Sequence, residues 1–169
     1  QFLVFDETLV NSMVLSTLEG IEPKLNMGQT RWYKKMDPQK TYVVALDPAM
    51  GTGGDNAAIQ VLELPTFEQV AEWKHNTTPV PQQVRILKDI CNHIKDETQS
   101  SGSNIYWSVE NNTIGESALL VINDFGEDQI PGMFVSEPIR KGHIRKFRKG
   151  FNTTHKTKIS CLLYTSDAA

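Results

Sequence analysis

Two acidic residues stand at matching places in the chain. Asp47 follows the apolar run TYVVAL (41–46), and Glu110 follows the run IYWSV (105–109). Runs of this length and composition read as buried strands. If the two strands are neighbours, their ends lie about 4.8 Å apart, and the carboxylates converge at one edge of a sheet. Two bare carboxylates at that distance repel unless they share a cation. An all-oxygen site suits Mg²⁺ or Mn²⁺. Two such ions, about 3.5–4 Å apart, activate a water and stabilise the leaving oxygen in phosphodiester cleavage. The plainer alternative is that Asp47 caps a turn with Pro48 and Glu110 pairs with a nearby base. The matching placement of both acids favours the metal reading.

Asp55 lies across the glycine-rich stretch GTGGD from Asp47. It either faces the same metal or serves as a turn residue ahead of Asn56. Glu116 reads as a helix cap rather than a ligand. His75, His93, His143 and His155 show no ligand spacing. The glycine-rich loop is not a P-loop, because no Lys-Ser/Thr follows it. A similar turn between two strands also occurs in actin- and sugar-kinase-like ATPases, which makes an ATPase fragment a second enzymatic reading.

Charge is unevenly spread. The net charge is −3, yet residues 41–137 hold fourteen acids and four bases, while 138–160 hold eight bases and no acid. In IRKGHIRKFRKGF (139–151), Arg140, Lys141, Arg145, Lys146, Arg148 and Lys149 alternate with Ile144, Phe147 and Phe151. Such a run neutralises backbone phosphates without reading sequence. Its other reading is a solvated basic loop. A domain that binds DNA or docks to a partner protein without cutting is the non-enzymatic alternative.

The elements that must place these residues follow from periodicity. After the run 41–46 comes a second strand, AAIQVLEL (57–64), ended by Pro65. A third covers 67–75, with Val70 and Trp73 among polar residues. Short connections make these three an antiparallel meander. Pro81 then suits the first turn of a helix. Val84, Leu87, Cys91 and Ile94 follow at helical spacing, with Ile86 and Ile90 widening the face. The strand 105–109 comes next. A second helix starts at Thr113, with Thr113 and Glu116 as a capping box. Ala118, Leu119, Ile122 and Phe125 are its apolar face and Gly126 its end. A last strand covers 132–136. The order β-β-β-α-β-α-β is an α/β, RNase H-like mixed sheet, with the 105–109 strand parallel to and beside the 41–46 strand. Residues 1–40 read as a linker that packs on the domain without joining its sheet, with a short helical pattern around Leu9, Met13 and Leu18, ended by Gly20.

The 169 residues suffice for one domain with a real core. No stretch approaches the roughly 18 apolar residues of a membrane span, and no signal peptide is visible. The cysteines, Cys91 and Cys161, fit a reducing intracellular setting, with Cys91 as a core thiol. The chain does not begin with Met, so it reads as starting inside a longer protein. Its end, CLLYTSDAA (161–169), is similar to the translation of a sequencing adapter from assembled metagenomic reads and is set aside from fold reasoning.

The segments YVVALDPAMGTGGDNAAIQVLELP, SVENNTIGESAL and RKGFNTTHKTK resemble the nuclease domain of T4-like tailed-phage terminase large subunits, over about residues 1–160. The resemblance implies metal ligation by Asp47 and Glu110, with Asp55 as an accessory site residue. It implies a metal-dependent DNA endonuclease that cuts concematemeric viral DNA in the host cytoplasm during packaging, together with a portal protein and a small terminase subunit. The family also carries an upstream ATPase domain that binds ATP and a third essential Asp downstream. Neither has a counterpart here. The expectation is therefore an RNase H-like domain (41–160) truncated at its C-terminus that binds DNA and cuts it poorly or not at all.

Overall fold

The computed structural model describes residues 7–15, 25–111, 113–137 and 150–151. The alternation in β3 (Ala57–Leu64) turns Ala57, Ile59 and Val61 into the core. β3 pairs antiparallel with β2 (Thr41–Asp47) on one side and with β4 (Glu68–His75) on the other. This is the expected meander. In β4 the ladder steps from Val61↔Ala71 to Leu62↔Gln69, leaving Val70 as an extra residue. The bulge lets Val70 and Ala71 both be buried, with Trp73 two residues further on.

Pro81 lies in the first turn of α2 (Val80–Glu97). The helix buries Val84, Ile86, Leu87, Ile90, Cys91 and Ile94. The chain then returns through β5 (Ile105–Val109), which lies parallel to β2 with Val43 beside Tyr106 and Ala45 beside Ser108. α3 (Thr113–Phe125) leads to β6 (Met133–Phe134), parallel to β5. With β1 formed by Thr30–Trp32, the sheet order is β1-β4-β3-β2-β5-β6. This mixed sheet with its helical crossovers is RNase H-like.

Four expectations are corrected. The run 41–46 is not buried on both faces: Tyr42, Val44 and Leu46 are buried, whereas Val43 and Ala45 are not. Both crossovers step the same way across the sheet, so right-handed connections place α2 and α3 on one face. Second, the segment assigned to a linker contributes β1 (Thr30–Trp32) to the sheet, antiparallel to β4. The free edge of β4 needs backbone partners. Trp32, only 2% exposed, gives the short strand its burial, stacking on the His93 ring of α2 with centroids 4.3 Å apart. Third, Phe125 lies outside the apolar face of α3. It is 37% exposed, and the Lys88 ammonium sits 4.6 Å from its ring centre. Fourth, the last strand is shorter than 132–136, although the Val135 N–H still donates to the Trp107 carbonyl at 2.8 Å.

The helical pattern near the start is α1 (Glu7–Leu15), none of it buried. Leu18 and Gly20, the Thr113 side chain of the capping box, the basic residues 140–149 and the segment 161–169 lie outside the described residues. Among the described residues, no helix is long and apolar enough to cross a membrane.

Candidate metal centre

Asp47 is the last residue of β2, and Glu110 directly follows β5. The ladder of these parallel strands runs to Leu46 beside Val109, and the Glu110 N–H donates to the Leu46 carbonyl at 2.8 Å. Asp47 and Glu110 are therefore the next residues across from one another. They share a sheet face with Ala45 and Ser108, opposite the face that carries Leu46 and Val109 into the core. Their carboxyls meet in a hydrogen bond. Burial, followed by that hydrogen bond and the charge of Asp47, pushes Glu110 up to about 7.

This arrangement fits a divalent cation. Burial, with the Asp47 carboxyl beside it, makes ionising Glu110 costly when no cation is bound. A cation offsets that cost while leaving both groups charged. The oxygen donors suit Mg²⁺ or Mn²⁺. Asp55 lies exposed in the glycine-rich turn. Among the described residues no three His, Cys, Asp or Glu side chains cluster tightly enough to hold one ion. The structure thus joins Asp47 to Glu110 as a pair.

The loop after Asp47 is fastened by residues whose role the sequence did not suggest. Gln83, wholly buried on α2, accepts a hydrogen bond from the Ala49 N–H at 3.3 Å. Its amide donates to the Ala49 carbonyl at 2.6 Å and the Thr78 carbonyl at 2.7 Å. Gly51 has φ +73°, and a Cβ there would lie 2.3 Å from the Thr78 carbonyl oxygen. The Gly53 N–H donates to the Asn76 carbonyl at 2.8 Å, and the Asn76 amide donates back to Gly53 at 3.1 Å. One signal was present, a lone polar residue at position 83 among the apolar positions of the helix. His75 faces the Thr78 hydroxyl at 2.7 Å and His93 packs on Trp32.

On the other side of Glu110, β6 gives way to Phe151 as the neighbour of β5. Glu110 bridges in parallel to Phe151, and the Asn111 N–H donates to the Phe151 carbonyl at 2.6 Å. The Glu137 N–H donates to the Gly150 carbonyl at 3.1 Å, and the Gly150 N–H to the Ser136 hydroxyl at 3.0 Å. Ser136, Glu137, Gly150 and Phe151 thus close the sheet beside Glu110.

The sheet and its carboxylate pair are those of an RNase H-like domain. The Terminase RNaseH-like domain family matches residues 44–149, and the chain belongs to that family. Among solved structures, it is similar to the large terminase nuclease of thermophilic phage G20c with bound magnesium, at 14% identity and a TM-score of 0.54, over 88% of this chain and 63% of that one. The same nuclease with bound zinc matches at 15% identity and a TM-score of 0.52, over 75% of this chain and 64% of that one. At such identities these matches speak to the fold. The chain spans less than two thirds of either nuclease. No curated protein matches it in sequence.

Proposed function

We propose that the chain is the DNA-cutting part of a phage terminase large subunit, an endonuclease domain that uses Mg²⁺ or Mn²⁺ to cleave concatemeric viral DNA during packaging. The hydrogen-bonded pair Asp47 and Glu110 carries this reading. The two carboxylates hold the cation, and Asp55 acts as an accessory residue on the adjoining loop. When bound, the metal supplies Lewis acidity that activates a water and stabilises the leaving oxygen. Gln83 and Gly51 keep Asp47 in place by tying its loop to the start of α2. The basic residues between 140 and 149 attract the phosphate backbone. Double-stranded DNA is the substrate, and a portal protein and a small terminase subunit are the partners in the host cytoplasm.

The test uses a chain carrying the whole nuclease domain, supercoiled plasmid and Mn²⁺. Nicking and linearisation are expected from the unsubstituted protein and lost in Asp47→Ala and Glu110→Ala, with both variants still folded by circular dichroism. Nicking retained in either variant removes that residue from catalysis. DNA binding without cleavage in the unsubstituted protein would instead favour a non-catalytic DNA-binding module.

A further inference from the structure

The carboxylate pair belongs to a longer row. Asp47 pairs with Ala58 of β3, and Ala58 pairs with Lys74 of β4. Paired residues in a ladder put their side chains on the same face. Lys74, Ala58, Asp47 and Glu110 therefore cross the sheet in line on the face away from α2 and α3. Their inward neighbours Trp73, Ile59, Leu46 and Val109 fill the core.

Lys74 is exposed and has no ion pair or side-chain hydrogen bond among the described residues. Several other bases are engaged or lie elsewhere. Arg31 sits 3.8 Å from Glu72, and Lys34 is held by Glu63 and Glu68. Arg85, Lys88 and Lys95 ride on α2, behind the sheet. In the acidic stretch 41–137, Lys74 is thus the base on the carboxylate face. It stands two strand spacings from Asp47, about 10 Å. In the ladder the small Ala58 stands between them, so the flexible four-carbon stem can carry its ammonium part of that way.

We infer that Lys74 binds a phosphate of the DNA strand next to the one being cut, as a point-charge contact that fixes the duplex across the carboxylate row. A cation directly on the acids would compete with the metal. A cation two strands away instead offsets the repulsion between the acidic face and the backbone. The contact reads no base, so its effect is the same for every sequence. This inference rests on the DNA-cutting reading above.

The experiment measures duplex affinity by fluorescence anisotropy in EDTA, where no hydrolysis occurs, over a series of KCl concentrations. Lys74→Met keeps the apolar stem and removes the charge, Lys74→Arg keeps the charge, and Arg85→Ala removes a charge behind the sheet. Loss of one phosphate contact reduces the slope of log affinity against log salt by about 0.9. That reduction is expected in Lys74→Met, with the slope retained in Lys74→Arg and Arg85→Ala. Calorimetric Mn²⁺ binding without DNA should be unchanged in Lys74→Met. If the unsubstituted chain shows no salt-dependent duplex binding, the DNA reading and this inference both fall. If it binds and Lys74→Met has the unsubstituted slope, or Arg85→Ala shifts as much, the Lys74 contact alone is overturned.

Discussion

The carboxyl group of Glu110 hydrogen-bonds that of Asp47, and the two meet because the Glu110 N–H is fastened to the Leu46 carbonyl. Backbone pairing thus delivers two acids to one point. Burial and Asp47 together keep Glu110 protonated up to about 7. Cation binding must release that proton. Mn²⁺ affinity by calorimetry should therefore rise with pH, by up to about tenfold per pH unit below 7 for one displaced proton, and level off above it. In Asp47→Asn the rise should be flatter, since the acid that helps to hold the proton is gone. A pH-independent affinity in the unsubstituted chain would contradict this account.

The same group makes metal-free stability fall with pH. Glu110 moves from an ordinary 4.5 up to about 7 on folding, so the folded chain binds this proton more tightly than the unfolded one. Its stabilising contribution is complete below about 4.5 and disappears as pH rises through about 7. The melting temperature in EDTA should show this loss between pH 5 and 8, with less of it in Asp47→Asn. Added Mn²⁺ should raise the melting temperature most at the upper end.

Gln83 is expected to act on the metal through the loop. Gln83→Leu leaves the Ala49 N–H and the Ala49 and Thr78 carbonyls short of partners, at about 1–3 kcal/mol for each group left unsatisfied. Stability and Mn²⁺ affinity should fall together. Leu87→Ala, a core deletion on the same helix costing about 2–5 kcal/mol, should leave Mn²⁺ affinity unchanged at temperatures where it is folded. Equal affinity losses in both variants would reduce Gln83 to a packing residue.

Two glycines of one loop should respond differently. A methyl at Gly51 meets the Thr78 backbone, and its φ of +73° strains any L side chain. Gly51→Ala should cost on the order of 1–3 kcal/mol and weaken Mn²⁺ binding. A Cβ at Gly54 meets nothing within 4 Å, so Gly54→Ala should change the chemical-denaturation midpoint little.

Trp32 tests whether β1 is structural. Trp32→Ala should cost roughly 3–5 kcal/mol as a core truncation. Trp32→Phe should cost much less, since the buried indole N–H has no hydrogen-bond partner among the described residues. A negligible effect of Trp32→Ala on thermal unfolding would return 30–32 to the role of a linker.

The elements that depend on local pattern were legible in the sequence. Alternation in β3 and the helical spacing from Val84 to Ile94 follow from backbone geometry acting over a few residues. Pro65 and Pro81 mark boundaries because a ring nitrogen cannot donate. Asp47 and Glu110 stood out because an acid after an apolar run is a local fact. Pairing across the chain was not local. β1 is three residues long, too short for a periodicity, and exists because β4 offers an open edge and α2 a slot for Trp32. The bulge at Val70 breaks the alternation that a strand reading relies on. Which face of 41–46 is buried depends on both crossovers being right-handed and running the same way. Lys74 reads as an ordinary surface lysine until the register of four strands sets it in line with Asp47 and Glu110. Gln83 reads as a polar interruption until the loop after Asp47 folds onto it. Local composition determined the elements and the acids, while only backbone hydrogen bonding between distant segments decided which residues share a face and a row.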